Sequence, residues 1–434
     1  MAKNTKTAQV QNGSATHASS SIDELLAAAQ ERGDETYETG RYIVTFKENA
    51  VEEGINLLKG QGMRLADARD FDNQAMTLDM VGDAEAVIFP EIGSALVGGA
   101  AFEQRGMSVQ MEIADDSPIL AIEPEYFIFA NDLQDEYLRG FMRAVETITK
   151  DLKGEHAHPA DKSTEPEVLG ATWGLATCKV PPSVRSGAGI KVAVLDTGFD
   201  LGHPDFVGRT FVTHTFVGQP VQDGNGHGTH TTGTACGPKA PPGTTPRYGI
   251  AFKAQIFSGK VLSNAGSGTT ATVLAGMNWA IANRCAVISM SLGSQSPVQA
   301  AFTAAGQAAL NNGCLMIAAA GNASAATGAP ANSPTIMSIA SLDSTMVPSS
   351  FSNFGKIELA APGRDVFSSV PRPTRYATFS GTSMATPHVA GCAALWAESS
   401  STLRGMALWN KLLSSAKPLH FPATRVGKGI VQAP

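Results

Sequence analysis

From residue 190 onward, short apolar runs alternate with stretches of helical spacing, at 190–195 (IKVAVL), 228–236, 254–262, 271–284, 286–291, 298–312, 314–320, 335–341 and 383–397. Short buried strands alternating with helices predict a parallel sheet covered on both faces. The pattern before residue 130 is different. Tyr42–Phe46 reads as a strand, and Val51, Ile55, Leu57 and Leu58 follow at the spacing of a short amphipathic helix. Further strands are expected at 75–80, 107–113, 118–122 and 126–129, which together predict a small α+β domain over 41–130.

Between these regions, Leu133, Leu138, Phe141, Val145, Ile148 and Leu152 recur at helical spacing, with Asp132 placed to cap the helix. Residues 154–168 are polar and read as a linker, on which His156 and His158 are expected to be solvated rather than ligating. Residues 1–20 are rich in Ser, Thr, Asn and Gln, and 22–32 has the makings of a short helix. Four segments follow: a disordered or weakly structured tail over 1–40, the α+β domain over 41–130, a helix and linker over 131–168, and a large α/β domain over 169–434.

Composition sharpens the division. Residues 1–170 hold 14 Lys and Arg against 31 Asp and Glu, and residues 171–434 hold 18 against 8. The two parts thus carry net charges of −17 and +10, and opposite charge favours docking of one on the other. The 18 basic residues are scattered rather than clustered, which argues against nucleic acid as a partner. No run of 18 apolar residues is present, so no membrane span is expected. Cys178, Cys236, Cys285, Cys314 and Cys392 form no C-x-x-C pair, and three of them sit in apolar runs. The polar N-terminus lacks the apolar stretch of a secretory signal. A cytoplasmic, reducing location is therefore expected, with export by a non-Sec route as the alternative.

Chemistry is expected at the carboxyl ends of the strands. Asp196 directly follows the run Val192–Leu195. His227 lies among glycines in Asp223-Gly-Asn-Gly-His-Gly-Thr-His230, at what reads as a helix start. Ser383 stands in Gly381-Thr-Ser-Met-Ala-Thr-Pro-His388, near the positive end of a helix dipole. Asn322 ends the run Ile317–Gly321, where its amide is placed to donate to a developing oxyanion. Each alone is ambiguous. All four at strand ends or helix starts are not.

The segments VAVLDTGFD (192–200), DGNGHGTHTTG (223–233), SLG (291–293), AAAGN (318–322) and GTSMATPHVAG (381–391) resemble the subtilisin-like serine proteases. The order Asp, His, Ser matches that family and differs from the α/β-hydrolase and chymotrypsin-like orders. DTG, DGNGHGTH, FSNFG (351–355) and SMATPH look most like its proteinase K branch. The resemblance implies a three-layer α/β fold with a central, mostly parallel sheet, preceded by a small ferredoxin-like α+β propeptide domain.

It also implies an endopeptidase acting on polypeptides, with Ser383 as nucleophile, His227 as general base, Asp196 as its orienting carboxylate and Asn322 in the oxyanion hole. Gly266, Ser267 and Gly268, with Ser291, Leu292 and Gly293, match the segments that pair with an extended substrate. Ala319 and Gly328 would line a broad apolar P1 pocket. His230 and His388 are expected to be structural. A histidine base must be neutral, so activity should fall as pH drops below about 6.5.

No cofactor is implied for the chemistry, and structural calcium is the one metal to consider. Asp205 matches a calcium-ligand position of bacterial subtilisins, but the partner loop is replaced by 237–246, which offers no carboxylate. A proteinase K-type site would use the carbonyls of Pro334 and Ile336 with Glu358. The 41–130 region resembles the inhibitor-type propeptide of subtilases, which would dock on the protease, leave its tail in the substrate groove, and be removed by self-cleavage between about Ala130 and Leu169. Two other readings stand beside this one: a non-catalytic relative that binds peptides in the groove, and a protease dedicated to one partner protein.

Overall fold

The computed structural model describes residues 16–33, 37–105, 107, 116–130 and 170–434. The expected helix at 132–152, the linker at 154–168 with His156 and His158, and all but the first residue of the 107–113 strand lie outside these.

The N-terminal part comprises helix α1 (Ile22–Arg32), strand β1 (Glu38–Phe46), helix α2 (Val51–Gly60), strands β2 (Leu65–Asp67), β3 (Ala86–Phe89) and β4 (Ser94–Val97), helix α3 (Gly99–Gln104) and strand β5 (Ile119–Ala130). Its sheet runs β5-β1-β4-β3-β2, antiparallel except for β2 on β3. Without the edge strand β2 this is the expected ferredoxin-like order. Two expectations change. Residues 75–80 form no strand but 3₁₀ turns around Leu78–Met80, and the missing strands are β3 and β4. Both are buried along their whole length, because α2 and α3 cover one face of the sheet and the C-terminal part covers the other. No polar alternation marks such strands. Of the 1–40 segment, residues 16–33 and 37–40 are described, and they include the helix at 22–32. Ser21 caps α1 with a full capping box, and Leu25 packs on Phe127 and Phe129 of β5.

Residues 170–434 begin with a short helix, α4 (Trp173–Thr177), and then β6 (Lys191–Asp196), β7 (Phe211–Thr215), α5 (His227–Cys236), β8 (Gln255–Lys260), β9 (Ser267–Thr269) and α6 (Thr270–Ala282). There follow β10 (Val287–Met290), β11 (Leu292–Gly293), α7 (Ala300–Asn311), β12 (Leu315–Ala319), β13 (Met337–Leu342), β14 (Leu359–Pro362), β15 (Val366–Ser369), β16 (Tyr376–Phe379), α8 (Thr382–Ser399) and α9 (Gly405–Ser415). A seven-stranded parallel sheet, β14-β13-β12-β10-β6-β8-β7, forms the middle layer. Successive residues of β6 serve opposite faces: Ala193 and Leu195 pack with α6 and α7, while Val192 and Val194 pack with α5, α8 and α9. This is why IKVAVL reads as an unbroken apolar run.

The five cysteines are free and buried, and burial pushes the thiols of Cys236 and Cys285 up to about 12. Among the described residues no helix is long and apolar enough to cross a membrane.

The two parts meet through β5. Its first eight residues pair with β1, and its last four leave that sheet and continue between β9 and β11. Two of its glutamates serve helices of the other part. Glu123 accepts from the N–H groups of Ala300 and Ala301, at 3.0 and 3.3 Å, where α7 begins, and Glu125 accepts from Ala271 N, at 3.0 Å, where α6 begins. The acidic part thus meets helix N-termini here rather than lysines.

Candidate active site

Strand β6 is an inner strand of the parallel sheet, between β10 and β8, and Asp196 is its last residue. The side chain is buried, its Oδ1 accepting from Thr197 N at 2.7 Å and its Oδ2 from the Thr231 hydroxyl at 3.1 Å. His227 Nδ1 lies 2.7 Å from the same Oδ1, so the carboxylate fixes which ring nitrogen carries the proton.

His227 is the first residue of α5, and the loop before it is organised by Asp223. This buried carboxylate accepts from Asn225 N and Gly226 N at 2.9 and 2.8 Å, and from Thr229 N and Oγ1 at 2.8 and 2.7 Å. It also accepts at 2.9 Å from Thr197 Oγ1, which in turn receives Gly228 N at 2.8 Å. Gly226 stands at φ +107°, a conformation that glycine adopts without strain. One carboxylate therefore ties the His227 loop to the residue that follows Asp196.

Lys260, also buried, donates to Thr197 O and, at 2.9 Å, to Asn264 Oδ1. Burial pulls it down to about 8, against the opposing influence of Asp223 and Asp196. Neither Asp223 nor Lys260 was singled out from the sequence. The available signal was an acidic residue four places before the histidine.

Helices α5 and α8 pack against one another, which brings the starts of both to the same end of the sheet. Ser383 is the second residue of α8. Its Oγ donates to Ser291 O at 3.3 Å, and Ser291 Oγ donates back to Ser383 O at 2.7 Å. Asn322, just beyond β12, accepts from both Thr382 N and Thr382 Oγ1 at 2.9 Å. With its oxygen so occupied, the amide is oriented by the residue that precedes Ser383. Asp196, His227, Ser383 and Asn322 are thus gathered at the carboxyl edge of the sheet.

The other two histidines of the motifs are used for packing. His230 stacks on Phe379 with ring centroids 4.6 Å apart and bonds Val366 O at 2.9 Å. His388 Nδ1 bonds Met384 O at 2.8 Å. Burial lowers them to about 3 and about 4, so both are neutral near pH 7.

The backbone segments come together as two short edges facing a gap, and β5 fills it. Phe129, Ile128 and Phe127 lie opposite Ser267, Gly268 and Thr269, while Ala130 and Phe129 lie opposite Leu292 and Gly293. Ala130 N also donates to Gly266 O at 2.9 Å. A small cleft opens alongside, lined by Gly293, Ser294, Ala319, Gly321, Gly328 and Ala329, none of them charged.

At the oxygens named for calcium the structure places a lysine. The Lys356 ammonium donates to Ile336 O and sits 2.8 Å from Glu358 Oε2, so the oxygens assigned to a metal already face a cation. Glu358 Oε2 further accepts from Ser338 N at 2.7 Å. At Asp205, the carboxylate accepts from the hydroxyls of Tyr248, at 2.6 Å, and Tyr376, at 2.9 Å. Among the described residues no group of three or more His, Cys, Asp or Glu side chains is arranged to hold a metal.

Comparison with known proteins agrees with this geometry. Residues 187–429 match the model of the subtilase family, peptidase S8. An alkaline protease of Alkalihalobacillus alcalophilus is 35% identical over 339 residues, covering 75% of this chain and 86% of the relative. Subtilisin Savinase of Lederbergia lenta is 38% identical over 270 residues, covering 60% and 96%. The crystal structure of a cold-adapted subtilisin-like serine proteinase superposes with a TM-score of 0.53 at 35% identity, covering 61% of this chain and 97% of the other.

Proposed function

The chain belongs to the subtilase family of serine endopeptidases, and from that premise we propose that Asp196, His227 and Ser383 are its triad, with Asn322 as an oxyanion donor. Ser383 Oγ turns from Ser291 O toward His227 Nε2, passes its proton to the ring, and attacks the scissile carbonyl carbon. Asp196, 2.7 Å from Nδ1, supports the imidazolium that forms. The negative oxygen of the tetrahedral adduct is received by Asn322 Nδ2 and Ser383 N–H. Collapse breaks the C–N bond as the imidazolium returns the proton to the leaving amine. A water then repeats the sequence on the acyl-enzyme, freeing Ser383.

The observation that carries this reading is the course of β5. A stretch of ordinary polypeptide, Phe127–Ala130, lies as a middle strand between β9 and β11 and ends next to the nucleophile. A groove that binds an extended backbone on both edges, regardless of side chains, suits an enzyme that cuts many polypeptides. Gly266–Gly268 and Ser291–Gly293 are its two edges, and the uncharged cleft at Ala319 and Gly328 is the P1 pocket, favouring apolar residues.

On the same grounds the N-terminal part is an intramolecular inhibitor and the chain a self-processing zymogen. Ala130 is opposite Leu292, and the preceding Ser291 is bonded to Ser383, so the described end of β5 points to a cleavage site shortly after Ala130.

The test is maturation itself. Wild-type chain should lose its N-terminal part, with a new N-terminus shortly after Ala130, and its Ser383 should react with a fluorophosphonate. Purified Ser383→Ala should remain a single chain. Cleavage of that variant at the wild-type rate would remove self-processing, and an unlabelled Ser383 in mature protein would favour the peptide-binding alternative.

A further inference from the structure

Lys356 lies between β13 and β14 on the segment that leads into β14. Its backbone carbonyl accepts from Thr327 Oγ1 at 3.0 Å, and the neighbouring Phe354 O accepts from Thr327 N at 2.9 Å. Thr327 directly precedes Gly328 in the wall of the P1 cleft. Main chain at 354–356 therefore holds one side of that pocket.

The side chain turns the other way. Its ammonium donates to the carbonyl of Ile336, at the entry to β13, and pairs at 2.8 Å with Glu358, whose carboxylate accepts from Ser338 N on β13. The indole of Trp409 lies beyond, its ring centroid 5.8 Å from Nζ. Both members of the pair are largely shielded, with side-chain exposures of 26% and 17%.

A carbonyl and a carboxylate from adjoining segments, converging on one point, are what a hard divalent cation gathers. Here the point is taken by a covalently attached cation. An ammonium does the same cross-linking through directed N–H bonds, with no ion to lose and no coordination shell of six to eight oxygens to assemble. We propose that Lys356 is a built-in substitute for a bound divalent cation: it fastens β13 to β14 and steadies the P1 wall without metal, and it masks a latent oxygen site that is exposed only when the ammonium is removed.

The experiment uses full-length chain carrying Ser383→Ala, so that digestion does not intrude, and reads thermal unfolding in EDTA and in CaCl2, with NaCl of equal ionic strength as the control. The parent is expected to give the same Tm in all three. Added Lys356→Ala should melt several degrees lower in EDTA and recover most of that loss in CaCl2 but not in NaCl. Lys356→Met, whose side chain still fills the space, should lose stability without gaining a calcium response. A parent as sensitive to EDTA as the alanine variant, an alanine variant that drops without calcium rescue or does not drop at all, or a methionine variant rescued equally well would each overturn the proposal. Should the alanine variant fail to fold in every buffer, Lys356→Arg decides. Parental Tm without a calcium response supports the substitute-cation role, and a calcium-dependent Tm overturns it.

Discussion

One oxygen of Glu125 accepts the backbone N–H of Ala271 at 3.0 Å, so a side chain of the N-terminal part completes the first turn of a helix in the catalytic part. The same carboxylate is gripped by Arg41 Nε and Nη2, at 2.6 and 2.9 Å, and by Thr39 Oγ1 at 2.6 Å, all buried. Removing one partner of a buried pair leaves the other charge uncompensated, a loss of about 3–5 kcal/mol. Glu125→Ala in the Ser383→Ala background is therefore expected to undock the N-terminal part. Limited digestion by added mature enzyme checks this: the double variant should lose residues upstream of Ala130 much faster than its parent. Equal rates would mean that the interface does not depend on this pair.

The two buried motif histidines make stability fall with acid. Their folded-state values, about 3 for His230 and about 4 for His388, lie below the ordinary value near 6.5. Below that ordinary value the unfolded chain takes up protons that the folded one refuses. Stability is thus fully present above about pH 6.5 and declines toward pH 4, by about 1.4 kcal/mol per pH unit for each histidine. Tm of Ser383→Ala measured across this range should show the decline, and a non-titrating His230→Asn should flatten it by about one proton's share. An unchanged slope would contradict the burial argument.

Asp223 gathers the N–H groups of Asn225, Gly226 and Thr229 and the hydroxyl of Thr197 around the start of α5. Its role is to position His227 against Asp196, not to touch substrate. Asp223→Asn keeps the shape but turns one acceptor into a donor that faces N–H groups. The expected result is a kcat lower by about 10²-fold with KM little changed, since misplacement of a reacting group by about 1 Å has this effect. A Tm near the parental value together with the kcat loss would separate positioning from folding. A change confined to KM would refute the assignment.

The proposed catalytic constellation was legible in the sequence because its members lie at element boundaries, where glycine and small residues leave a recognisable spacing. Asp196 and Ser383 stood out for that reason, as did the alternation of runs that produced the parallel sheet. The N-terminal sheet was harder. Val87 and Ile88 of β3 both face apolar neighbours, on opposite sides, and one of those sides is supplied by distant helices of the same chain. At Glu358 the spacing was silent for a related reason: nothing in it showed that Lys356, two residues away, folds back to bond both Ile336 O and the Glu358 carboxylate.

The P1 cleft gives a prediction about selectivity. A Cβ at Gly328 would come within 2.3 Å of Ser294 O, and both residues line the cleft. Gly328→Ala should then narrow the pocket, and since about 1–3 kcal/mol rides on a single methylene in an apolar pocket, selectivity should shift about 10–200-fold. Peptides with Ala at P1 should gain relative to those with Phe or Leu, measured as the ratio of kcat/KM values. A ratio unchanged from wild type would place the P1 side chain elsewhere.

Asn322 offers the sharpest separation of binding from chemistry. Its oxygen is engaged by Thr382 N and Oγ1, both at 2.9 Å, in the residue before the nucleophile, which fixes the amide's orientation. A donor placed for the oxyanion binds it more strongly than the ground-state carbonyl, so the interaction belongs to the transition state. Asn322→Leu removes the donor and nearly keeps the volume. Its kcat should fall by about 10²–10³ while KM stays within a few-fold of wild type. Fluorophosphonate labelling of Ser383 should still proceed, more slowly, which shows that the nucleophile remains intact. If KM rises in proportion as kcat holds, Asn322 binds the ground state, and the oxyanion must be stabilised by other groups.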